Sequence, residues 1–421
     1  MSKTTLVRTP FSGYQKFVVA VLAFLQFTIV LDFMLLSPLG ALLMPALTIS
    51  PAQFGFLVSS YAFSAGVAGV CAAGFADRFD RKKLLLVFYA GFLAGTLLCG
   101  LASTYHLLLT ARMVTGLFAG VVGSVSFAII TDLFPMEMRG RVMGLTQTAF
   151  AASSVLGLPI SLALSNRWGW NAPFFLIVGV CLVVGVAIVA YLKPVVAHLK
   201  LHPDRSPLHH LAATVSNLRY IQGFVTTGFI SIGGFMLMPF ASAFNVHNVG
   251  VPFSSLPVVY LVTGLFAAAA GPLIGRASDR FGKFPVFFFG CAMTILMVVI
   301  YTHMQVEPLW YLVGITVLLQ IGIFSRIISS SALLSGVPAP ADRGSYMSIT
   351  SSLQQVAGGI AAVVAGQIVV EMPSGALLHF DTLGYVLVVT TLISLALVYL
   401  IDRRLTRAAK PAAGVAEGLA R

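Results

Sequence analysis

Between two apolar runs the chain reads Ala73-Gly74-Phe75-Ala76-Asp77-Arg78-Phe79-Asp80-Arg81-Lys82, and further on Gly275-Arg276-Ala277-Ser278-Asp279-Arg280-Phe281-Gly282-Lys283. Asp77-Arg78-Phe79 and Asp279-Arg280-Phe281 stand 202 positions apart. A second echo accompanies the first. Pro135 with Arg139-Gly140 recurs as Pro338 with Arg343-Gly344, at offsets of 203 and 204. Near-constant offsets at corresponding loops mark a chain built from two similar halves.

The sequence around these loops is apolar. Of 421 residues, 58% are hydrophobic and only 9% are charged. A soluble domain carries about a quarter charged residues. So little charge cannot cover a water-facing surface, and lipid must cover most of it. A spanning helix needs about twenty mostly apolar residues. Twelve such runs are predicted: 17–43, 54–76, 84–102, 107–133, 142–165, 173–192, 221–244, 255–275, 285–301, 309–334, 347–370 and 384–400. They lack the period of two that barrel strands require.

The fold expected is therefore an all-α integral membrane protein, with twelve transmembrane helices in two pseudo-symmetric six-helix halves. The halves are placed at 1–192 and 221–421, the second with a polar tail, and a linker at 193–220 joins them. Lys and Arg set the orientation. Alternate connections and the two ends carry 22 of the 25 basic residues, the opposite loops carry only Arg167, and Arg112 and Arg326 fall inside spans. Both termini are thus expected in the cytoplasm of a bacterial-type inner membrane, and no cleavable leader is expected.

The net charge of +12 could suggest nucleic acid. Its division into short clusters between apolar runs argues against that partner. Cys71, Cys99, Cys181 and Cys291 lie in apolar runs without metal-ligand spacing. They read as small buried apolar residues. His198, His202, His209 and His210 in the linker match no standard zinc motif, so no metal is expected. There is no Walker A sequence and no catalytic triad. His303 and His379 sit in loops without partners, and an enzyme is not expected.

The repeated loop resembles the signature G-x-L-A-D-R-x-G-R-K of the major facilitator superfamily. Ala73 and Asp80 stand where that family has glycine, and Phe284 replaces the last basic residue of the second copy. The resemblance implies a cytoplasmic gate made from Asp77, Arg78, Arg81, Asp132, Asp279 and Arg280. Asp77 would face the start of the eleventh span, and Arg78 or Arg81 would reach Asp132. Acids can cap helix N-termini and bases can pair with acids on neighbouring helix ends, which gives such links a physical basis.

Three charges lie inside spans: Asp32, Arg112 and Arg326. Charge at that depth is costly and marks function by default. At about 1.5 Å per residue, Asp32 lies roughly 15 Å and Arg112 roughly 8 Å from the outer ends of their spans, so a long arginine side chain can bridge them. Arg112 through Gly116 resembles the fourth-helix R-x-x-x-G motif of the family, in which the arginine is linked to proton coupling. Leu31-Asp32-Phe33 resembles the first-helix acidic motif of proton-coupled exporters. A static salt bridge is the alternative reading of this pair. Gly116 and Gly120 form a small-xxx-small pair that lets helices approach closely.

The fifth span, Gly157-Leu158-Pro159, and Trp168-Gly169-Trp170-Asn171 after it resemble the twelve-helix drug/proton antiporters, most closely the predicted sugar (arabinose-type) efflux permeases. Ser161 and Asn171 depart from that pattern. Arg326, flanked by Ser325 and Ser329 to Ser331, has no counterpart at Arg112's offset. It reads either as a substrate contact or as bundle-stabilising charge. Gln26, Gln147 and Gln354 are further intramembrane polar candidates for substrate, with interhelical hydrogen bonding as their commoner use.

The resemblance implies proton-coupled export of a small organic molecule (a drug, sugar or metabolite) by a monomer, through alternating access around a midplane site. Asp32 would accept the proton and Arg112 would tune it. The proton gradient would be the driving force, with no cofactor. Uptake of a small solute is one alternative. A non-transporting receptor or assembly factor is the other, because fold does not fix function.

Overall fold

In the computed structural model, residues 11–196, 199, 214–339 and 342–418 are described. Most of the predicted linker at 193–220, with its four histidines, lies outside the described residues. Helices begin where a side chain can meet the free backbone N–H groups of the first turn. Ser12 and Gln15 form a capping box at the start of α1 (Gly13–Leu35), and Ser50 and Gln53 form one at α3 (Pro51–Phe75). Between them α2 covers Gly40–Leu47.

Asp80 caps α4 (Arg81–Leu101), accepting from Lys82 N at 2.9 Å and from Val195 N at 3.0 Å. This accounts for an acid where the second copy of the loop keeps Gly282. Gly282 has φ +99°, a left-handed conformation that glycine adopts without steric cost, whereas Asp80 has φ −57°.

The remaining helices are α5 (Tyr105–Leu133), α6 (Met136–Ala152), α7 (Leu158–Trp168), α8 (Ala172–Tyr191), α9 (Leu218–Phe235), α10 (Ala241–His247), α11 (Leu256–Phe281), α12 (Lys283–Thr302), α13 (Leu309–Leu334), α14 (Arg343–Ile368) and α15 (Phe380–Gly418). A π-helical turn, Ser153–Gly157, joins α6 to α7 ahead of Pro159. Such turns arise where the ordinary hydrogen-bond ladder is interrupted.

Among the described residues, eleven helical segments are long and apolar enough to cross a membrane. The seventh predicted run, 221–244, is broken at 236–240 into α9 and α10, and neither piece is among the eleven. The first run breaks in the same way between α1 and α2. The last helix extends beyond its predicted apolar run of 384–400, because hydropathy marks lipid contact rather than helix length. A two-stranded hairpin, β1 (Val370–Glu371) with β2 (Leu377–Leu378), was not foreseen. Asn248 clamps it from the end of α10, donating to Leu377 O and accepting from Leu377 N, both at 2.9 Å.

Within the first half α5 packs on α3 and α4, α1 on α6, and α4 on α8. Within the second, α13 packs on α11 and α12, and α15 on α9 and α12. Across the halves α3 meets α14, α11 meets α7 and the π-turn, and α10 meets α2. At the end away from the basic loops these contacts are close. A Cβ on Gly55 would lie 2.5 Å from Ala362 O, and one on Gly366 would lie 2.7 Å from Pro51 O. Ser242 Oγ donates to Ser37 O at 3.1 Å, and the Phe54 and Phe240 rings meet at 5.7 Å. The two halves are therefore closed against each other at that end.

Candidate functional site

Asp32 stands one turn before α1 ends and Arg112 two turns into α5, and the structure joins them. Arg112 Nη1 donates to Asp32 Oδ2 at 2.8 Å and to the Asp32 backbone O at 3.2 Å. Both residues are 0% exposed. Glycines bring the surrounding helices close enough to seal the pair. Gly116 and Gly120 set α5 against the α3 backbone at Tyr61 and Ala65, and Gly95 of α4 admits Thr115. The Tyr61 ring then lies 4.4 Å from the Arg112 guanidinium carbon, an attractive cation–π arrangement.

The pair is incompletely satisfied: Asp32 Oδ1, Arg112 Nε and the neighbouring Thr96 Oγ1 lack hydrogen-bond partners. A buried ion pair with polar atoms unmet sits close to the balance between Coulomb gain and desolvation cost. Adding one proton to the carboxylate would change that balance.

Phe33, next to Asp32, carries the contact outward. Its ring packs on Tyr61 at 5.6 Å and on Phe235 of α9 at 6.0 Å. Phe33, Phe235, Ser37, Ala62 and Gly358 line a small cavity between the halves. Tyr61, Thr96 and Phe33 carry no charge, so the sequence assigned them no role beside the pair. Two were reachable in principle: Phe33 is adjacent to the acid, and Tyr61 lies on the helix that the paired glycines of α5 must meet.

Of the two bases offered for Asp132, Arg81 makes the contact, with Nε 3.1 Å from Oδ2. Arg81 is 4% exposed, whereas Arg78 is exposed to solvent. In the second half Lys283, the position matching Arg81, donates to Ala332 O at 3.2 Å near the end of α13. Each half thus places a base against the negative C-terminal end of its fourth helix. Asp279 and Arg280 are exposed. The side chains of Asp77 and Gln147 lie outside the described residues. Gln26 is half-buried on α1 and Gln354 is exposed on α14, and no hydrogen bond joins either to the Asp32–Arg112 pair or to Arg326 among the described residues. Arg326 is buried inside the second half, in a different cluster.

Removing the Arg81 contact gives a direct test of its weight. Arg81→Gln is expected to cost about 2 kcal/mol, the scale of a hydrogen bond to a charged partner. Arg78→Gln, on an exposed side chain, is expected to be neutral. Thermal unfolding of both variants checks this, and equal midpoints would contradict it.

The chain is similar to known proteins along most of its length. The family model of the Major Facilitator Superfamily matches residues 22–362 and 223–419. The chain is 26% identical over 359 residues to the uncharacterized MFS-type transporter YceJ of Bacillus subtilis (strain 168), covering 81% of this chain and 86% of that protein. It is 27% identical over 284 residues to the chloramphenicol efflux pump Rv0191 of Mycobacterium tuberculosis, covering 66% of each. Among solved structures, the bacterial homolog of the human lysosomal transporter Spinster, in an inward-facing and occupied conformation, superposes with a TM-score of 0.75. That match covers 94% of this chain and 98% of the other at 15% identity, and it shows the fold. With two repeated halves, eleven candidate spans among the described residues and a family match over nearly the whole chain, this is a membrane transporter rather than an enzyme, and it belongs to the Major Facilitator Superfamily.

Proposed function

We propose that the protein exports a small organic molecule in exchange for protons, by alternating access between its two halves. The observation that supports this most is the sealed Asp32–Arg112 pair, one residue from the aromatic bridge between the halves. A proton on Asp32 would cancel the attraction that holds Arg112 Nη1. The guanidinium and the Tyr61 ring over it would then readjust. Phe33 packs on Tyr61 and on Phe235, so that movement reaches the interface directly. The halves, closed against each other at the end away from the basic loops, would open there as the contacts between α3 and α14 part. Efflux pumps among the relatives fit this direction of transport.

The test uses full-length protein in inside-out vesicles with an acidic lumen. Chloramphenicol and a panel of fluorescent drugs serve as probes. At least one probe is expected to accumulate in the lumen when the gradient is imposed, and to leave when an ionophore collapses it. Gradient-driven movement out of the lumen would assign uptake instead. Flux that ignores the gradient would overturn proton coupling.

A further inference from the structure

Arg326 is the one basic residue within the apolar runs predicted for the second half, and it is set in the interior of its bundle. It is 2% exposed, and its Nε and Nη2 have no hydrogen-bond partner. The Cys291 thiol of α12 lies within hydrogen-bonding reach. A Cβ placed on Gly233 of α9 would lie 3.4 Å from Arg326 Nη2 and 3.0 Å from Thr390 Oγ1 of α15. The guanidinium therefore faces a point flanked by a glycine and a hydroxyl, with no acid beside it.

The first half shows what is missing. Asp32 stands three residues before α1 breaks at Leu35, and Gly233 stands two residues before α9 breaks at Phe235. At the repeat offset of 202 Asp32 maps to Gly234, the neighbour of Gly233, so the second half carries no acid at the matching position. No Asp or Glu occurs anywhere in α9, α10, α12, α13 or α14. On α15 the acids are Asp381, Asp402 and Glu417; the nearer two stand nine and twelve residues from Thr390, or roughly 13 and 18 Å along the helix. A buried arginine normally acquires a counter-charge, since leaving it unpaired in a membrane interior is expensive. Among the described residues none is placed beside Arg326.

We propose that Arg326, with Gly233 and Thr390, forms a binding site for a small monovalent anionic group that comes from outside the chain. Two sources share this chemistry: a free halide such as chloride, and the carboxylate of a transported molecule. Arginine suits both, because its planar fork binds a carboxylate through two donors and is weakly hydrated. A cleft of about 530 Å³ between α11, α12 and α13 has Ser325 in its wall, the residue before Arg326. Its lining also includes Phe281 and Pro285, beside the exposed Arg280 and Lys283.

This inference does not rest on proton coupling, and its test reads binding alone. Purified full-length protein in nanodiscs is titrated at constant ionic strength, exchanging a bulky morpholine sulfonate for chloride, formate or benzoate. Wild-type protein is expected to gain about 3 °C in thermal midpoint at saturation, as ligand linkage gives for a protein of this size. Arg326→Gln is expected to lose that gain. Gly233→Asp supplies the acid internally, so it is expected to raise the midpoint in the sulfonate buffer and to abolish the response. A response to chloride but not to the carboxylates assigns a free halide; a stronger response to formate and benzoate assigns the carboxylate of a cargo. No anion-specific shift in wild type, or an equal shift in Arg326→Gln, overturns the site. So does a Gly233→Asp variant that is destabilised or that still responds as wild type, whether or not Arg326→Gln folds.

Discussion

Asp32→Asn is expected to abolish gradient-driven accumulation, reducing it to the level of empty vesicles, while substrate exchange without a gradient persists. The carboxylate is the single acid deep within a first-half span, and Asn cannot carry a proton on and off. The change also has a structural cost, because Arg112 stays buried and keeps its charge. Breaking a buried pair from one side costs about 3 kcal/mol, and the retained amide oxygen offsets part of it by still accepting from Nη1. Loss of stability could therefore mimic loss of coupling.

The double variant Asp32→Asn with Arg112→Gln separates the two effects. It replaces the ion pair by two neutral amides and leaves no charge buried, so it is expected to recover more than half of the lost stability. Coupling should remain absent. The two residues are in contact, so their effects are not expected to add. Full gradient-driven transport by Asp32→Asn, measured in the same vesicles, would remove Asp32 from the proton pathway and leave the pair as a static brace.

The second large effect is expected where α5 crosses α3. A Cβ on Gly116 would lie 2.4 Å from Tyr61 O and 2.9 Å from Tyr61 Cα, and one on Gly120 would lie 2.3 Å from Ala65 O. These obstacles are backbone, so relief requires the helices to move apart. Overpacking of this kind costs about 1–3 kcal/mol at a single site. Gly116→Ala and Gly120→Ala are each expected to fall in that range. Together they should cost less than their sum, since one separation of the helices relieves both clashes.

Gly123 lies on the same helix with no atom within 4 Å of its Cβ position. Gly123→Ala is therefore expected to be neutral or to stabilise by up to about 1 kcal/mol through helix propensity. The Gly116 change should also reach the ion pair, because Tyr61 is the residue whose ring covers Arg112. Thermal midpoints of the four variants test this. Equal effects at Gly116 and Gly123 would contradict the close crossing.

What the sequence determined by itself is what a bilayer makes conspicuous. Charge is so costly in hydrocarbon that apolar runs, basic loops and the three exceptions Asp32, Arg112 and Arg326 stand out without any structure. The duplicated Asp-Arg-Phe loops fixed the two-half plan in the same way. Asp32 and Arg112 could be paired from sequence because depth in a span follows from helix rise alone.

Rotation of one helix against another does not follow from rise, and the tertiary structure decided everything that depends on it. It chose Arg81 over Arg78 as the partner of Asp132. It laid Tyr61 over Arg112 and set Phe33 against the other half. It also broke the seventh run into α9 and α10, and it placed Gly233 beside Arg326. Tyr61, Phe33 and Gly233 are uncharged, and uncharged residues gain their roles only from what packing places beside them.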